Sequence, residues 1–182
     1  MPETSERTAA PNPGTAVGQL LSVNAGRPRD VEWEGRSVRT AIWKETVDGP
    51  RMVRRINIDG DDQADRAAHG GEHRAVFVYQ IDSYRYWEEQ LGRHDFTYGQ
   101  FGENLTVDGL ADDQVSVGNK YRIGGAILEV TQPRVTCFRV GIRMAEPRMP
   151  SLLVAHHRLE PPQDDRVLVC CAQPAGPVVL EL

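Results

Sequence analysis

Cys137 closes the run Gln132-Pro133-Arg134-Val135-Thr136-Cys137, and Arg139 follows two residues later. Nearby guanidinium charge favours the thiolate, the form of cysteine that attacks electrophiles or binds metal. Thiolate is a soft donor, suited to softer or covalently held metals. The plain alternative is a small buried apolar cysteine, and the polar setting leaves the two readings level. Cys170 and Cys171 are neighbours, between which an ordinary disulfide is geometrically poor. Three cysteines without regular spacing fit neither a disulfide framework nor a four-ligand zinc site.

Three further motifs carry polar groups. In His69-Gly70-Gly71-Glu72-His73 the glycines argue against a helix that could present both histidines to a metal. A turn with a hydrogen-bonded histidine is one reading. The other is a backbone that approaches a ligand closely, with His69 beside it. In Phe101-Gly102-Glu103-Asn104-Leu105 the acid and amide could grip the edge of a heterocycle, or simply turn the chain into a strand. Asp59–Asp65 (DGDDQAD) has the alternate oxygens of a calcium loop, but Ala64 and Gly70 stand where glycine and glutamate are required. It reads as a solvated acidic turn.

Short strands must position these groups. Val17–Asn24 and Val38–Lys44 read as strands with a turn at Gly35. Alternation predicts a third over Met52–Ile58, closed by Asp59-Gly60. Ala75–Ile81 is a compact run of strand formers. Asp82 then caps a predicted helix over Ser83–Leu91, with Tyr84, Trp87 and Leu91 on one face and Gly92 as its stop. Leu105–Val107 and a hairpin of Tyr121–Ile123 with Ala126–Thr131 complete the pattern, the hairpin turning at Gly124-Gly125. Pro133 ends the last strand. Arg158–Asp165 reads as a linker, followed by strand-like Val167–Cys171 and Val178–Leu182. Many short strands with few helices predict a mainly β, barrel-like or sandwich domain.

The order HGG (69–71), FGENL (101–105), the hairpin GNKYRIGGAILEVTQPR (118–134) and Cys137 resembles the MOSC family, domains like the C-terminal part of molybdenum cofactor sulfurases. The branch it resembles is the small YiiM-like group, with MOSC domains fused to ferredoxin-reductase modules. The resemblance runs from about Leu20 to about His157. It implies a MOSC-type β-barrel with a few short peripheral helices, binding a molybdenum cofactor whose pterin dithiolene holds the metal. Cys137 matches the family's cysteine, expected to ligate molybdenum or carry transferable sulfur. His69, Gly70, Gly71, Glu103, Asn104 and Arg134 match motif positions lining the same pocket, and Arg139 and Arg143 are assigned to the cofactor phosphate. His69 and Glu103 are the candidates for moving protons alongside Cys137. The implied reaction is reduction of a small N-hydroxylated substrate by N–O cleavage, fed by a separate flavin and iron–sulfur reductase. The alternative is a carrier of sulfur, as a Cys137 persulfide, or of the cofactor itself. No pyridoxal phosphate is expected, since its Schiff-base lysine belongs to another domain of full-length sulfurases. In the expected division, 1–16 is a disordered lead-in, 17–158 the MOSC domain and 159–182 an atypical tail. Either that tail supplies the closing strand of the barrel or the end is altered.

Charge narrows the partners. Net charge is −5, against a nucleic-acid coat. No apolar run reaches the 18 or so residues of a membrane span, and the N-terminus lacks a secretory pattern, so a cytoplasmic protein is expected. Only two of the 21 basic residues are lysines, Lys44 and Lys120. Segment 134–158 carries five arginines against one glutamate, beginning just before Cys137. Such fork-shaped donors suit a small anion.

Overall fold

A computed structural model describes residues 18–66, 69–134, 136–159, 170–174 and 178–180, with 113, 157–159, 170–174 and 178–180 described by backbone alone. The expectations for 1–16, for 160–165 of the linker and for 167–169 fall outside the described residues.

A seven-stranded sheet carries the fold. Its strands are β1 (Gln19–Ala25), β4 (Glu45–Thr46), β6 (Val76–Gln80), β7 (Leu105–Asp108), β8 (Lys120–Ile123), β9 (Ala126–Pro133) and β10 (Cys170–Pro174). The spatial order is β4-β1-β7-β6-β10-β9-β8. Neighbours are antiparallel except β6 and β7. A parallel pair needs a crossover, and α1 (Ile81–Leu91) lies within it. Two ribbons stand apart: β2 (Arg29–Trp33) with β3 (Arg36–Thr40), and β5 (Arg51–Val53) with β11 (Val178–Leu180).

Both faces of the sheet are apolar. Val23, Val76, Leu105 and Leu128 build one core with Val53 and Ile58. Because side chains alternate along a strand, Phe77 and Tyr79 of β6 face the other way. They pack with Tyr84 and Trp87 of α1, and with Val140 and Met144 of α2 (Phe138–Met144) and Met149 and Leu153 of α3 (Met149–Leu159).

The protein is mainly β, with few short helices, as expected. The barrel is not closed. Among the described residues the end strands β4 and β8 do not pair, and four strands leave the main sheet as ribbons. Local turns explain why. The predicted third strand stops at Val53, because Arg54 N–H donates to Asn57 O at 2.7 Å and the chain doubles back to bridge Val53 with Ile58. The strand predicted through Lys44 stops at Thr40, releasing 41–44 into a loop. Helix α1 starts at Ile81 rather than after Asp82, which instead pairs with Arg85 from the first turn. Arg158 belongs to the last turn of α3, not to a linker.

β10 lies between β6 and β9, hydrogen-bonded to both. Ending the chain at residue 159 therefore removes an interior strand and exposes two edges. Such a truncation is expected to cost several kcal/mol of the about 5–15 kcal/mol that a domain has in total. Chemical denaturation reads this directly, and an unchanged midpoint would overturn the placement of β10.

Candidate functional site

A cleft of about 630 Å³, measured to its open mouth, brings together segments that are distant in sequence. One wall is the loop from Asp61 to His69. The second is the released segment Thr40–Lys44. The start of β6, with Ala75 and Phe77, and the turn before β7, with Gly102 and Asn104, form the floor. Arg134, Cys137 and Arg139 complete it from the connection between β9 and α2. Cys137 is the residue before the first turn of α2, extended in backbone, half-buried and free. The thiol lines this cleft, with charged side chains nearby, rather than being fully enclosed in the core.

The cleft lining carries four basic side chains, Lys44, Arg74, Arg134 and Arg139, against three acidic ones, Asp61, Asp62 and Asp65. Arg134 lies with its guanidinium 5.0 Å from the centre of the Phe77 ring. Arg139 stands 4.0 Å from Asp65 and 5.1 Å from the Phe138 ring, and its Nε is buried without an acceptor. Arg74 lines the same space. Burial, then Arg139 and Arg134, hold the His69 imidazole below its ordinary range, with Asp65 opposing. His69 is thus neutral near pH 7, one nitrogen a donor and the other an acceptor. In an NMR titration its midpoint is expected below the ordinary value of about 6.5. Arg139→Gln should raise that midpoint and Asp65→Asn should lower it further. A midpoint at or above the ordinary value would contradict this placement.

Two predicted residues are taken up largely in holding the cleft together. The Asn104 side chain is fully spent: Oδ1 accepts from Phe77 N–H at 3.1 Å, and Nδ2 donates to Asn24 O at 3.3 Å and Asp61 Oδ2 at 3.0 Å. It joins β1, β6 and the Asp61 loop and leaves no amide edge for a heterocycle. Glu103 is completely buried and is not among the lining residues. Its carboxylate accepts from Tyr84 Oη, from Gly99 N–H at 2.8 Å, from Thr106 Oγ1 at 2.8 Å and from Phe101 N–H at 3.1 Å. Burial pushes its carboxyl up, and the hydrogen bonds from Tyr84, Thr106 and the backbone oppose that.

Gly70 and Gly71 do not line the cleft either. A side chain at Gly70 would meet Gln63 Oε1 at 2.2 Å, and Gly71 has φ +92°. Gln63 Oε1 accepts the Gly71 N–H at 2.9 Å, while its Nε2 donates to Ile56 O at 2.6 Å. The glycines thus shape the loop that holds His69. Arg143 is half-buried, with its Nε lacking an acceptor, but lies outside the lining. Arg148 pairs with Glu146 on the surface. Of the arginine cluster, Arg134 and Arg139 face the cleft.

Lys44 and Asp61 were not singled out by sequence. Lys44 Nζ bonds Asp61 Oδ1 with both side chains almost fully buried, and Asp61 also accepts Gly26 N–H at 2.8 Å. Burial lowers the Lys44 ammonium from its usual range, and Asp61 opposes this. The expected solvated acidic turn is therefore a cleft wall. The available signal was the retention of lysine in a chain that otherwise uses arginine almost throughout.

Among the described residues no group of three His, Cys, Asp or Glu side chains could hold a metal ion. No helix among them is long and apolar enough to cross a membrane.

A family model described as the MOSC domain matches residues 65–161. The uncharacterized protein YflK of Bacillus subtilis is 40% identical over 121 residues, 66% of this chain and 54% of that protein. A protein named "Reductase" from Gibberella moniliformis is 35% identical over 147 residues, 79% of this chain and 26% of that one. Among solved structures, YiiM from Geobacillus stearothermophilus superposes with a TM-score of 0.68 at 30% identity, covering 91% of this chain and 71% of that one. The chain spans about half the length of the YflK relative and a quarter of the fungal one.

Proposed function

The chain belongs to the MOSC domain family, and on that footing we propose that it binds a molybdenum–pterin cofactor in the Cys137 cleft and reduces small N-hydroxylated compounds. One observation carries the reading: a free thiol shares a cleft with Arg139, whose guanidinium is not fully paired. The buried Nε of Arg139 has no acceptor, and a buried donor left unpaired costs about 1–3 kcal/mol unless a ligand satisfies it. The residues fit the group. A cofactor that brings its own sulfur ligands asks the protein for little more than one soft donor and an anion cradle.

In this reading Cys137 Sγ would ligate the metal, and Arg134 and Arg139 would hold the anionic phosphate. When bound, the cofactor supplies the two-electron chemistry of N–O cleavage. The chain supplies position and protons. Neutral His69 can donate its ring proton to the departing oxygen and recover it from solvent. The overall change, N–OH plus two electrons and two protons giving N–H and water, needs an outside electron source. We assign that role to a separate flavin and iron–sulfur reductase, in keeping with the fungal relative's name. Lys44, bonded to Asp61, ties the Thr40–Lys44 wall of the cleft to the Asp61 loop. Asn104 and Glu103 act by holding the turn before β7 in place.

The test is elemental analysis and turnover in protein made with a molybdenum-cofactor supply. Near-stoichiometric molybdenum and reduction of an N-hydroxylated compound by a low-potential dye support the reading. Absence of molybdenum from the wild-type protein overturns it. A Cys137 persulfide seen by mass spectrometry, without turnover, replaces it with the sulfur carrier.

A further inference from the structure

Phe138 follows Cys137 directly and is left 39% exposed, although its side chain is large and apolar. It belongs to none of the apolar clusters among the described residues. Two guanidinium groups lie against its ring instead, Arg139 at 5.1 Å from the centre and Arg36 at 5.3 Å. Arg139 lines the Cys137 cleft. Arg36 is the first residue of β3, in a ribbon that forms no part of the main sheet.

The register of that ribbon brings Arg36 to the cleft. Residues directly opposite in an antiparallel pair share a face, and the pairs here are Arg29 with Thr40, Val31 with Val38 and Trp33 with Arg36. Val38 and Thr40 are buried, so this face turns inward, and it carries no carboxylate. Asp30 and Glu32 take the outer face, where Asp30 pairs with Arg39 at 3.0 Å. Thr40 lines the cleft, and Arg36 stands about 13 Å further out along the same face. The Thr40 wall and the Cys137 wall thus meet at the rim, in the contact of Arg36 with Phe138. Arg36 is exposed there and has no carboxylate partner among the described residues. An exposed arginine is well hydrated, so the missing partner alone signifies little. Its position is what matters: an accessible aromatic ring and an unneutralised guanidinium stand side by side at the mouth of a cleft. A flat ring stacks on the first, and an anionic group on that ring forms paired, charge-assisted hydrogen bonds with the second.

We propose that Phe138 and Arg36 form an outer subsite of the Cys137 cleft, selecting flat aromatic substrates that carry an anionic group, with the ring on Phe138 and the anion on Arg36. That such a substrate is N-hydroxylated rests on the reductase reading, whereas the subsite is read by binding alone. The probe is 4-carboxybenzamidoxime, and the control is 4-carbamoylbenzamidoxime, of the same shape but neutral. Both are titrated into isotopically labelled full-length protein, made with a molybdenum-cofactor supply, and followed by NMR. The carboxylate is expected to shift the amides around Arg36 and Phe138 and to bind about tenfold more tightly than the amide. Arg36→Gln should reduce that preference below about threefold. Arg39→Gln removes the same charge from the outer face of the ribbon and should leave the preference intact. Phe138→Ala should weaken both probes alike. All three positions are exposed or partly so, and substitutions there are expected to leave the fold in place. Equal affinity for the two probes, no shift at millimolar probe, or an undiminished preference in Arg36→Gln overturns the subsite. So does an equal loss of preference in Arg39→Gln, which would mark general charge attraction. Protein that lacks molybdenum yet keeps the Arg36-dependent preference overturns the reductase reading and leaves the subsite standing. Loaded, active protein without that preference does the reverse.

Discussion

Cys137→Ala, made with a molybdenum-cofactor supply, is expected to lose about two orders of magnitude or more of reductase turnover while melting close to the wild type. The asymmetry comes from what the thiol touches. It is half-buried, unpaired and at the wall of a cleft, so removing one sulfur atom creates no core cavity. A substitution of that kind costs within about 0.5–1 kcal/mol. Its loss to function is of another order, because a ligand atom cannot be supplied by a neighbour. The described part of the cleft has no second cysteine and no cluster of other ligating side chains. Cys137→Ser separates ligand chemistry from shape, since it keeps the size and changes the softness of the donor. Turnover in Cys137→Ser near the wild-type level would show that the sulfur is not a ligand. Arg139→Gln is the companion measurement: retention of Cys137 with weakened molybdenum loading assigns the anion cradle rather than the metal bond.

What sequence made legible was decided by the range of the interactions involved. Runs with one dominant period could be read directly: Val76–Gln80, the Gly124-Gly125 hairpin, and α1 with Tyr84 and Trp87 buried and Gly92 at φ +60°. The helices α2 and α3 could not. Gly141 lies inside α2, where a side chain would meet Glu146 O at 3.1 Å as the chain turns back past the helix end, so close packing at the cap accounts for a residue of poor helix propensity. Pro150 is tolerated because it falls in the first turn of α3. The β2–β3 ribbon turns at Glu34-Gly35, with Glu34 at φ +50°, a conformation its side chain does not advertise. At the site, Cys137, His69, Arg134 and Arg139 were legible by motif. The Lys44–Asp61 pair was not, because 17 residues separate them and neither carries a local signal of burial. Glu103 was legible as important but not in kind. The same motif residue that would suit a proton donor turns out to be enclosed by four hydrogen-bond donors.

That enclosure makes Glu103→Ala the substitution with the largest expected cost to stability, about 3–5 kcal/mol, from the loss of a buried charged acceptor. Two of the stranded donors are backbone N–H groups, at Gly99 and Phe101, which no rotamer change can redirect. The Tyr84 phenol, raised by burial and by the carboxylate itself, stays protonated and loses its closest acceptor, leaving Thr97 O at 3.4 Å. Thr106 loses the acceptor that orders it against Asn24 and Ser22. Glu103→Gln should cost less, about 1–3 kcal/mol, because an amide still accepts at one atom but points N–H against N–H at the other. Urea denaturation measures both differences. The kinetic readout distinguishes support from proton transfer. If Glu103 only holds the turn, Glu103→Gln keeps the pH profile of turnover and loses activity in proportion to folded protein. If the carboxyl moved a proton, that variant would lose one limb of the profile while folding normally. The completely buried, fully bonded carboxylate favours the first outcome, whereas His69, in the cleft and neutral, is where a change in the profile is expected.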